Sequence, residues 1–146
     1  MAALKEILTA AEKRKEVIAD CARLLDEEVA SKSGFSGLAV KAAFATVKAL
    51  KPGMIPHTID DLLDEFADKV DPFYQAAKEA RQPVDAYIAG HAADIAEALL
   101  QITDGRAART RHGTIKKAYE KLRPTGKKHT MAAMPRVGKL ILKHAG

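Results

Sequence analysis

The chain has 146 residues, a length typical of one domain, and its abundant alanine and 5% aromatic content favour helix over strand. One cysteine, Cys21, excludes an internal disulfide, and the longest apolar stretch, residues 37–50, is too short and too charged to span a bilayer. The net charge of +5 leaves nucleic acid and anionic surfaces open as partners.

Apolar residues recur at helical spacing along most of the chain, and capping residues, glycine or proline separate the segments. A short turn is predicted at 4–8, and Thr9 with Glu12 forms a capping box for a helix at 10–30. The further predicted helices are 36–51, 58–70, 72–81, 83–103, 114–123 and 130–144. We therefore predict one all-α domain over residues 1–146, a helical bundle of six to eight helices.

The helix predicted at 36–51 is apolar around almost its whole circumference. Its bulky face is centred on Phe44, its other face is mostly alanine, and only Lys41 and Lys48 form a polar line. A helix of this kind is usually buried, so we predict that 36–51 lies at the centre of the bundle. The alternative is a surface helix that contacts a membrane or forms one wall of an apolar ligand site.

Four local signals divide the rest of the chain. Thr58 reads as a helix cap, and Asp71-Pro72 ends one helix and begins the next. Residues 105–113 read as a basic loop, and 124–126 as a turn. The helix at 58–70 carries an acidic outer face of Asp60, Asp61, Asp64, Glu65 and Asp68.

Charge is distributed unevenly along the chain. Residues 1–100 hold 12 Lys and Arg against 17 Asp and Glu, a net of −5, and residues 101–146 hold 12 against 2, a net of +10. Such asymmetry predicts a polyanionic partner for the basic third. The alternative is that the basic third is neutralised internally by the acidic face of the helix at 58–70.

Basic residues cluster around the start of the helix at 114–123, where free backbone N–H groups and the positive end of the helix dipole also favour an anion. Tyr119 sits on the apolar face of that helix, so base stacking is not predicted. Phosphate contact without sequence readout is therefore expected. The predicted binding residues are Arg106, Arg109, Arg111, Lys116, Lys117 and Lys121.

Enzyme signatures are missing from the sequence. It contains no phosphate-binding P-loop, no dinucleotide-binding glycine motif and no nucleophile elbow. His91 and Asp94 lie in the order opposite to the Glu-x-x-His pattern of bundle metal sites, and Cys21 lies on an apolar stripe. We predict a protein that is not an enzyme and uses neither cofactor nor metal.

Three blocks of the sequence carry a resemblance to a known family: SGLAVKAAFATVKALKPG, IDDLLDEFADKVDPFY and HTMAAMPRVGKL. The chain resembles a small family of all-helical bacterial proteins of about this length and of unknown function. The blocks are apolar, proline and acidic patterns, so the resemblance brings no active-site residue with it. It implies a cytoplasmic bacterial protein, and the N-terminus has no apolar segment typical of a secretory signal.

The sequence thus predicts a cytoplasmic binding protein whose basic C-terminal third contacts nucleic acid or another phosphate-rich partner. The second hypothesis is a bundle that binds an apolar ligand or a membrane surface through helix 36–51, with its basic end neutralised internally. Association into a homo-oligomer is compatible with both.

Overall fold

The computed structural model describes residues 3–146, with the side chains of Phe35, Ser36, Ile115, Ala118 and Leu122 excluded. This part of the chain folds as a single all-α domain and contains no strand, as predicted. Its helices are α1 (Leu4–Leu8), α2 (Arg14–Ala30), α3 (Gly34–Leu50), α4 (Met54–Glu79), α5 (Val84–Gly90), α6 (Ala92–Arg109) and α7 (Gly113–Ala145).

The two longest helices, α4 and α7, form the frame of the domain. Each of α1, α2, α5 and α6 packs against both of them, whereas α3 packs mainly against α2 and α4. No helix in the described range is both long and apolar enough to cross a membrane. The frame therefore exposes one side of α7 along its whole length and leaves α3 at the periphery.

Helix α4 supplies the largest share of the core. Its apolar side chains recur three and four residues apart, which places them on one face of a 26-residue helix. Ile88, Ile95 and Met134 pack against this face from α5, α6 and α7 and are at most 1% exposed. The buried residues of α4 are Ile59, Leu62, Leu63, Ala67, Val70, Tyr74 and Ala77.

The prediction that helix 36–51 lies at the centre of the bundle is wrong. Among the residues of α3 whose side chains the structure describes, none belongs to the buried core cluster, and Leu38 and Leu50 are 62% and 76% exposed. The bulky side chains Val40, Phe44 and Val47 do face the domain but are only half-buried. The alanine face offers little area to bury, so the larger side chains of α4 take the central place instead.

Helix α4 also runs through two predicted boundaries. Thr58 lies inside it rather than at a cap, and Pro72 lies within it on the exposed face, where a carbonyl without its helical N–H partner can be hydrated. Asp71 does cap a helix, but a distant one, because its Oδ1 accepts a hydrogen bond of 2.8 Å from the backbone N–H of Leu4. The helix ends instead at Glu79, and the φ of 54° at Arg81 belongs to a left-handed cap closed by a bond from Gln82 N–H to the carbonyl of Ala77.

Helix α7 likewise continues where a turn was predicted. Residues 124–126 are helical, and so are most of the residues in the predicted loop 105–113, because α6 extends to Arg109. Both prolines inside α7, Pro124 and Pro135, are exposed. A proline on the outer face costs the helix an N–H bond at a point where water replaces it, so the helix is not broken.

A buried glycine of α7 sets the distance between α7 and α5. Gly138 is buried, and a Cβ built at this position would lie 2.8 Å from the carbonyl oxygen of Asp85. Only glycine allows the two backbones to approach so closely. This contact fixes the C-terminal half of α7 against the bundle.

Candidate functional site

The basic third of the chain is neutralised in part by the rest of the molecule. Five of its 12 Lys and Arg side chains form ion pairs among the described residues. These pairs connect α6 or α7 to α2, α4 and α6. The paired residues are Arg106, Arg123, Lys127, Arg136 and Lys143.

Arg123 joins α7 to α6 through a two-point contact with Asp104. Its Nε and Nη2 donate to the two carboxylate oxygens at 2.8 and 3.0 Å, and the hydroxyl of Tyr119 donates to the same carboxylate. The hydrogen bond from Arg123 holds the pKa of Asp104 below its usual range, with Tyr119 contributing further. Tyr119 is thereby part of a structural network between α6 and α7.

A second network joins the C-terminal end of α7 to α2. Lys143 Nζ lies 2.8 Å from the carboxylate of Asp20 and 3.7 Å from that of Glu16, and His144 Nε2 lies 2.8 Å from Asp20. Hydrogen bonds from Lys143 and then His144 lower the pKa of Asp20, against the opposing effect of its burial.

The same network contains the best arrangement for a metal ion in the described part of the chain. One ligand atom from each of Glu16, Asp20 and His144 lies within 4.8 Å of the others. The ammonium group of Lys143 already neutralises the two carboxylates, however. A cation would have to displace it, so this geometry fits an ion-paired helix contact better than a metal centre.

Glu28 is the one buried carboxylate among the described residues, and two cations hold it. Lys32 and Arg136 approach its oxygens to 3.0 and 2.6 Å, and Arg136 also lies 3.4 Å from Glu27. A buried carboxylate is tolerated only when it is paired in this way. Arg136 is therefore a structural residue rather than part of a binding surface.

The acidic face of α4 is not the main partner of the basic third. Asp60 and Asp64 pair with Arg14 at 2.7 and 3.0 Å, and Asp68 pairs with Lys5 at 3.8 Å. Within the described residues, only Glu65 on this face reaches the basic third, through Arg106 at 3.1 Å. Most of the internal neutralisation instead comes from α2 and α6.

Seven basic side chains of residues 101–146 have no ion pair within the described structure. All seven are exposed. Five of them are among the six predicted binding residues, and the sixth predicted residue, Arg106, is paired with Glu65 instead. Arg109 lines a groove of about 450 Å³ between α4 and α6, beside Asp68 and Lys69. The seven are Arg109, Arg111, Lys116, Lys117, Lys121, Lys128 and Lys139.

Four of these side chains fall on one line of α7. Lys117, Lys121, Lys128 and Lys139 are separated by 4, 7 and 11 residues, which are close to one, two and three helical turns. We call this set the lysine line; it extends over about 33 Å at 1.5 Å per residue. The remaining exposed positions along it are Pro124, Ala132, Pro135 and Leu142, and the one acidic residue of α7, the exposed Glu120, lies at its edge, about 60° round the helix from Lys117.

Lys128 and Lys139 were not among the predicted binding residues. The predicted turn at 124–126 placed Lys128 in a connection and Lys139 on a separate helix at 130–144, with no fixed relation to Lys117 and Lys121. The signal that reveals them is the spacing, which becomes meaningful only when α7 is continuous.

The N-terminal end of α7 adds uncompensated positive charge to the start of the lysine line. Its first turn contains no acidic residue, and the side chain of His112 does not cap it. Lys116 and Lys117 therefore lie beside free N–H groups and the positive end of the helix dipole. Cations are unfavourable at this end of a helix, and a bound anion would relieve the repulsion.

Cys21 shows none of the properties of a nucleophile. Its side chain is half-buried against the core, and burial raises the pKa of its thiol to about 11. The reactive form is the thiolate, which such an environment suppresses at neutral pH. The structure thus agrees with the assignment of Cys21 to the apolar stripe of α2.

Comparison with known proteins gives a family but no activity. No curated protein and no solved structure matches the sequence. The chain does match a family of unknown function, DUF6918, over residues 4–145, which is almost its entire length. The resemblance to a family of unknown function is therefore confirmed, and the chain is a member of the DUF6918 family.

Proposed function

We propose that this chain is a non-enzymatic, cytoplasmic binding protein whose lysine line contacts a phosphate-rich polyanion, with nucleic acid the best match. One observation carries the proposal: the line presents four exposed lysines over about 33 Å, and the one acidic residue of α7, the exposed Glu120, lies beside the line rather than on it. Arg111 and Lys116 extend the positive surface at its N-terminal end. A row of unpaired cations suits the row of phosphates along a nucleic-acid strand.

The proposed contact is to the phosphate backbone and not to the bases. Lysine is a point charge and lacks the flat, two-point geometry by which arginine reads guanine. The exposed line holds no aromatic side chain that could stack on an unpaired base. Its only large apolar residue is Leu142 at the far end, which gives little support for insertion into a lipid surface.

The internal ion pairs support this proposal by dividing the basic third into two groups. Arg123, Arg136 and Lys143 hold helices together, whereas the lysines of the line have no such partner in the described structure. If the basic third were neutralised entirely within the molecule, these lysines would be expected to face acidic residues of other helices. They face solvent instead.

The decisive measurement is a salt titration of binding to a mixed-sequence DNA duplex, followed by fluorescence anisotropy. Neutralising Lys117 and Lys121 in the variant K117Q/K121Q should weaken binding. It should also make the slope of log K against log salt shallower by about 1.8, since each phosphate contact contributes about 0.9. The melting temperature should not fall, because both side chains are exposed and unpaired.

A matched control removes the same charge elsewhere. Lys15 and Lys51 are also exposed and unpaired in the described structure but lie outside α7, so K15Q/K51Q should leave most of the binding and the slope in place. Equal losses in the two variants would indicate attraction by net charge alone and would contradict the proposed surface. So would the absence of any duplex binding at low salt, or binding to anionic vesicles only.

A further inference from the structure

The four lysines of the lysine line are unevenly spaced along α7. At 1.5 Å per residue, Lys117 and Lys121 lie about 6 Å apart along the helix axis. Lys128 follows after about 10.5 Å, and Lys139 after about 16.5 Å more. The line therefore consists of one close pair of lysines and two single lysines at increasing intervals.

A nucleic-acid duplex presents its phosphates at similar intervals. Its two strands form ridges of phosphate that are separated alternately by the minor and the major groove. In B-form DNA these grooves are about 6 and 12 Å wide, and the phosphates that border them lie about 12 and 18 Å apart when the size of a phosphate group is added. The two longer intervals of the lysine line match these separations to within the reach of a lysine side chain.

We infer that α7 lies across the outside of a nucleic-acid duplex and crosses both of its grooves. In this arrangement Lys117 and Lys121 contact one phosphate ridge. Lys128 contacts the next ridge, across the minor groove, and Lys139 contacts the ridge after that, across the major groove. The inference rests on the proposed function and specifies the ligand as a double strand. DNA and RNA duplexes share the two ridges, although the shapes of their grooves differ.

The unpaired cations are confined to a narrow crest of α7, which favours contact from outside over insertion into a groove. The four lysines lie within about 40° of one another at 100° per residue. After the first two turns, the cations on the flanks of the helix, Lys127 and Arg136, are held by ion pairs with Glu97 and Glu28. A helix inside the major groove has phosphates on both flanks, where the exposed Glu120 would be repelled. Contact along the crest leaves Glu120 to one side.

Two features disfavour a single strand as the partner. Single-strand sites without sequence preference commonly stack bases on aromatic side chains. Helix α7 has no Phe or Trp, and its one tyrosine, Tyr119, is hydrogen-bonded to Asp104. A flexible strand must also be ordered before it can follow a fixed row of charges, whereas a duplex presents its phosphates already in place.

The first test compares a DNA duplex with its separated strands as competitors for the full chain, by fluorescence anisotropy. The line spans about ten base pairs at 3.4 Å per pair, so the labelled duplex has about 16. Charge density alone predicts a preference for the duplex of roughly sixfold at about 0.1 M salt, since each of four contacts contributes about 0.9 to the salt slope on a duplex and about 0.7 on a single strand. The preference should be clearly larger than this. An RNA duplex of the same sequence is the third competitor, and its strength relative to the DNA duplex shows which of the two duplexes fits better.

The second test uses duplex length to separate contact across the grooves from general attraction. A DNA hairpin with a stem of about five base pairs is about 17 Å long, so it can contact Lys117, Lys121 and Lys128 but not Lys139 as well. Lys139→Gln should therefore weaken binding to the long duplex, with a salt slope shallower by about 0.9, and leave binding to the hairpin unchanged. The matched variant K139Q/A93K restores the net charge at an exposed position of α6 and should bind as K139Q does.

Thermal melts establish that both variants fold, which is expected because Lys139 and Ala93 are exposed. Three results would overturn the inference: a preference for the duplex no greater than charge density predicts, an equal loss with K139Q on the long duplex and the hairpin, or recovery of binding in K139Q/A93K. Each of them would leave the proposed function standing as long as K117Q/K121Q weakens binding. If neither duplex nor single strand binds at all, the proposed function fails together with the inference.

Discussion

Asp71 shows how a tertiary contact can use a residue that local rules assign elsewhere. Before Pro72 it looks like the cap of a new helix, yet α4 continues through both residues. Its carboxylate instead accepts the backbone N–H of Leu4, which is 67 positions away in sequence. The prediction that Asp71 caps a helix beginning at Pro72 is wrong, and no local pattern could indicate that its carboxylate would accept a bond from the start of α1.

Asp20 leads to a prediction about acid stability. Because its folded pKa is lowered from the ordinary value of 3.8, chiefly by the hydrogen bond from Lys143, the unfolded chain binds a proton more readily than the folded one. The stability that this carboxylate contributes is therefore present above about pH 4 and is lost as the pH falls through the folded pKa.

Urea unfolding of wild type and the variant Asp20→Asn at several pH values measures this contribution. Asp20→Asn should be less stable than wild type at neutral pH, and its unfolding free energy should fall less steeply below about pH 4. Lys143→Gln removes the main cause of the shift and should flatten the profile in the same direction. An unchanged acid profile in both variants would contradict the role assigned to this network.

At the scale of helices, α4 and not α3 forms the centre of the bundle, and this can be tested by truncating one core side chain and one side chain of α3. Ile95→Ala should cost about 2–5 kcal/mol, because Ile95 is fully buried and its loss leaves a cavity. Phe44→Ala should cost less, on the order of 1–2 kcal/mol, although phenylalanine is larger, because its ring is only half-buried.

Urea denaturation of each variant and of the wild type gives both values. Leu50→Ala serves as the control and should change the unfolding free energy by no more than about 0.5 kcal/mol, since Leu50 is a surface residue. An equal loss of unfolding free energy in Phe44→Ala and Ile95→Ala would contradict the peripheral position of α3.

The positions of the helices could largely be predicted from spacing, but their ends and their depth could not. Periodicity identified the inward side of α4 correctly. On α3, the predicted bulky face was Val40, Phe44, Val47 and Leu50, of which the first three face the domain and Leu50 is exposed. Periodicity does not show how much surface area each helix face buries. The buried area differs between the two helices, so Ile59 and Leu63 of α4 are in the core whereas Val40 of α3 is half-exposed. Proline was read as a boundary at 72 and 124, whereas an exposed proline is tolerated within a long helix.

For the whole molecule, the sequence revealed the charge asymmetry but not the pairing. The basic third was expected to be either free or neutralised by the acidic face of α4, and the structure divides it between these roles. Arg123 and Lys143 join α7 to α6 and α2, and the lysine line stays exposed. Which cation meets which carboxylate depends on how the helices pack, and composition contains no information about that.

The hydrogen bond from Leu4 to Asp71 has a counterpart at the other end of the chain. Tyr74 Oη donates to the carbonyl of Ala145 at 2.8 Å, and Lys78 Nζ donates to that of Gly146. Both ends of the described chain are thus held by one stretch of α4 whose outermost contacts, Asp71 and Lys78, are about 10 Å apart along the helix axis. In its connectivity the domain is nearly a closed ring.

A ring can be opened at another point. A circular permutant that joins residue 146 to residue 3 through about six flexible residues, and begins at Gln82, should keep the same helices and core. The new ends would lie in the exposed segment 80–83, and the cut would release the left-handed backbone of Arg81. Circular dichroism and a cooperative thermal melt would confirm this closure, and a permutant without a cooperative melt would show that the order of the helices along the chain matters as much as their packing.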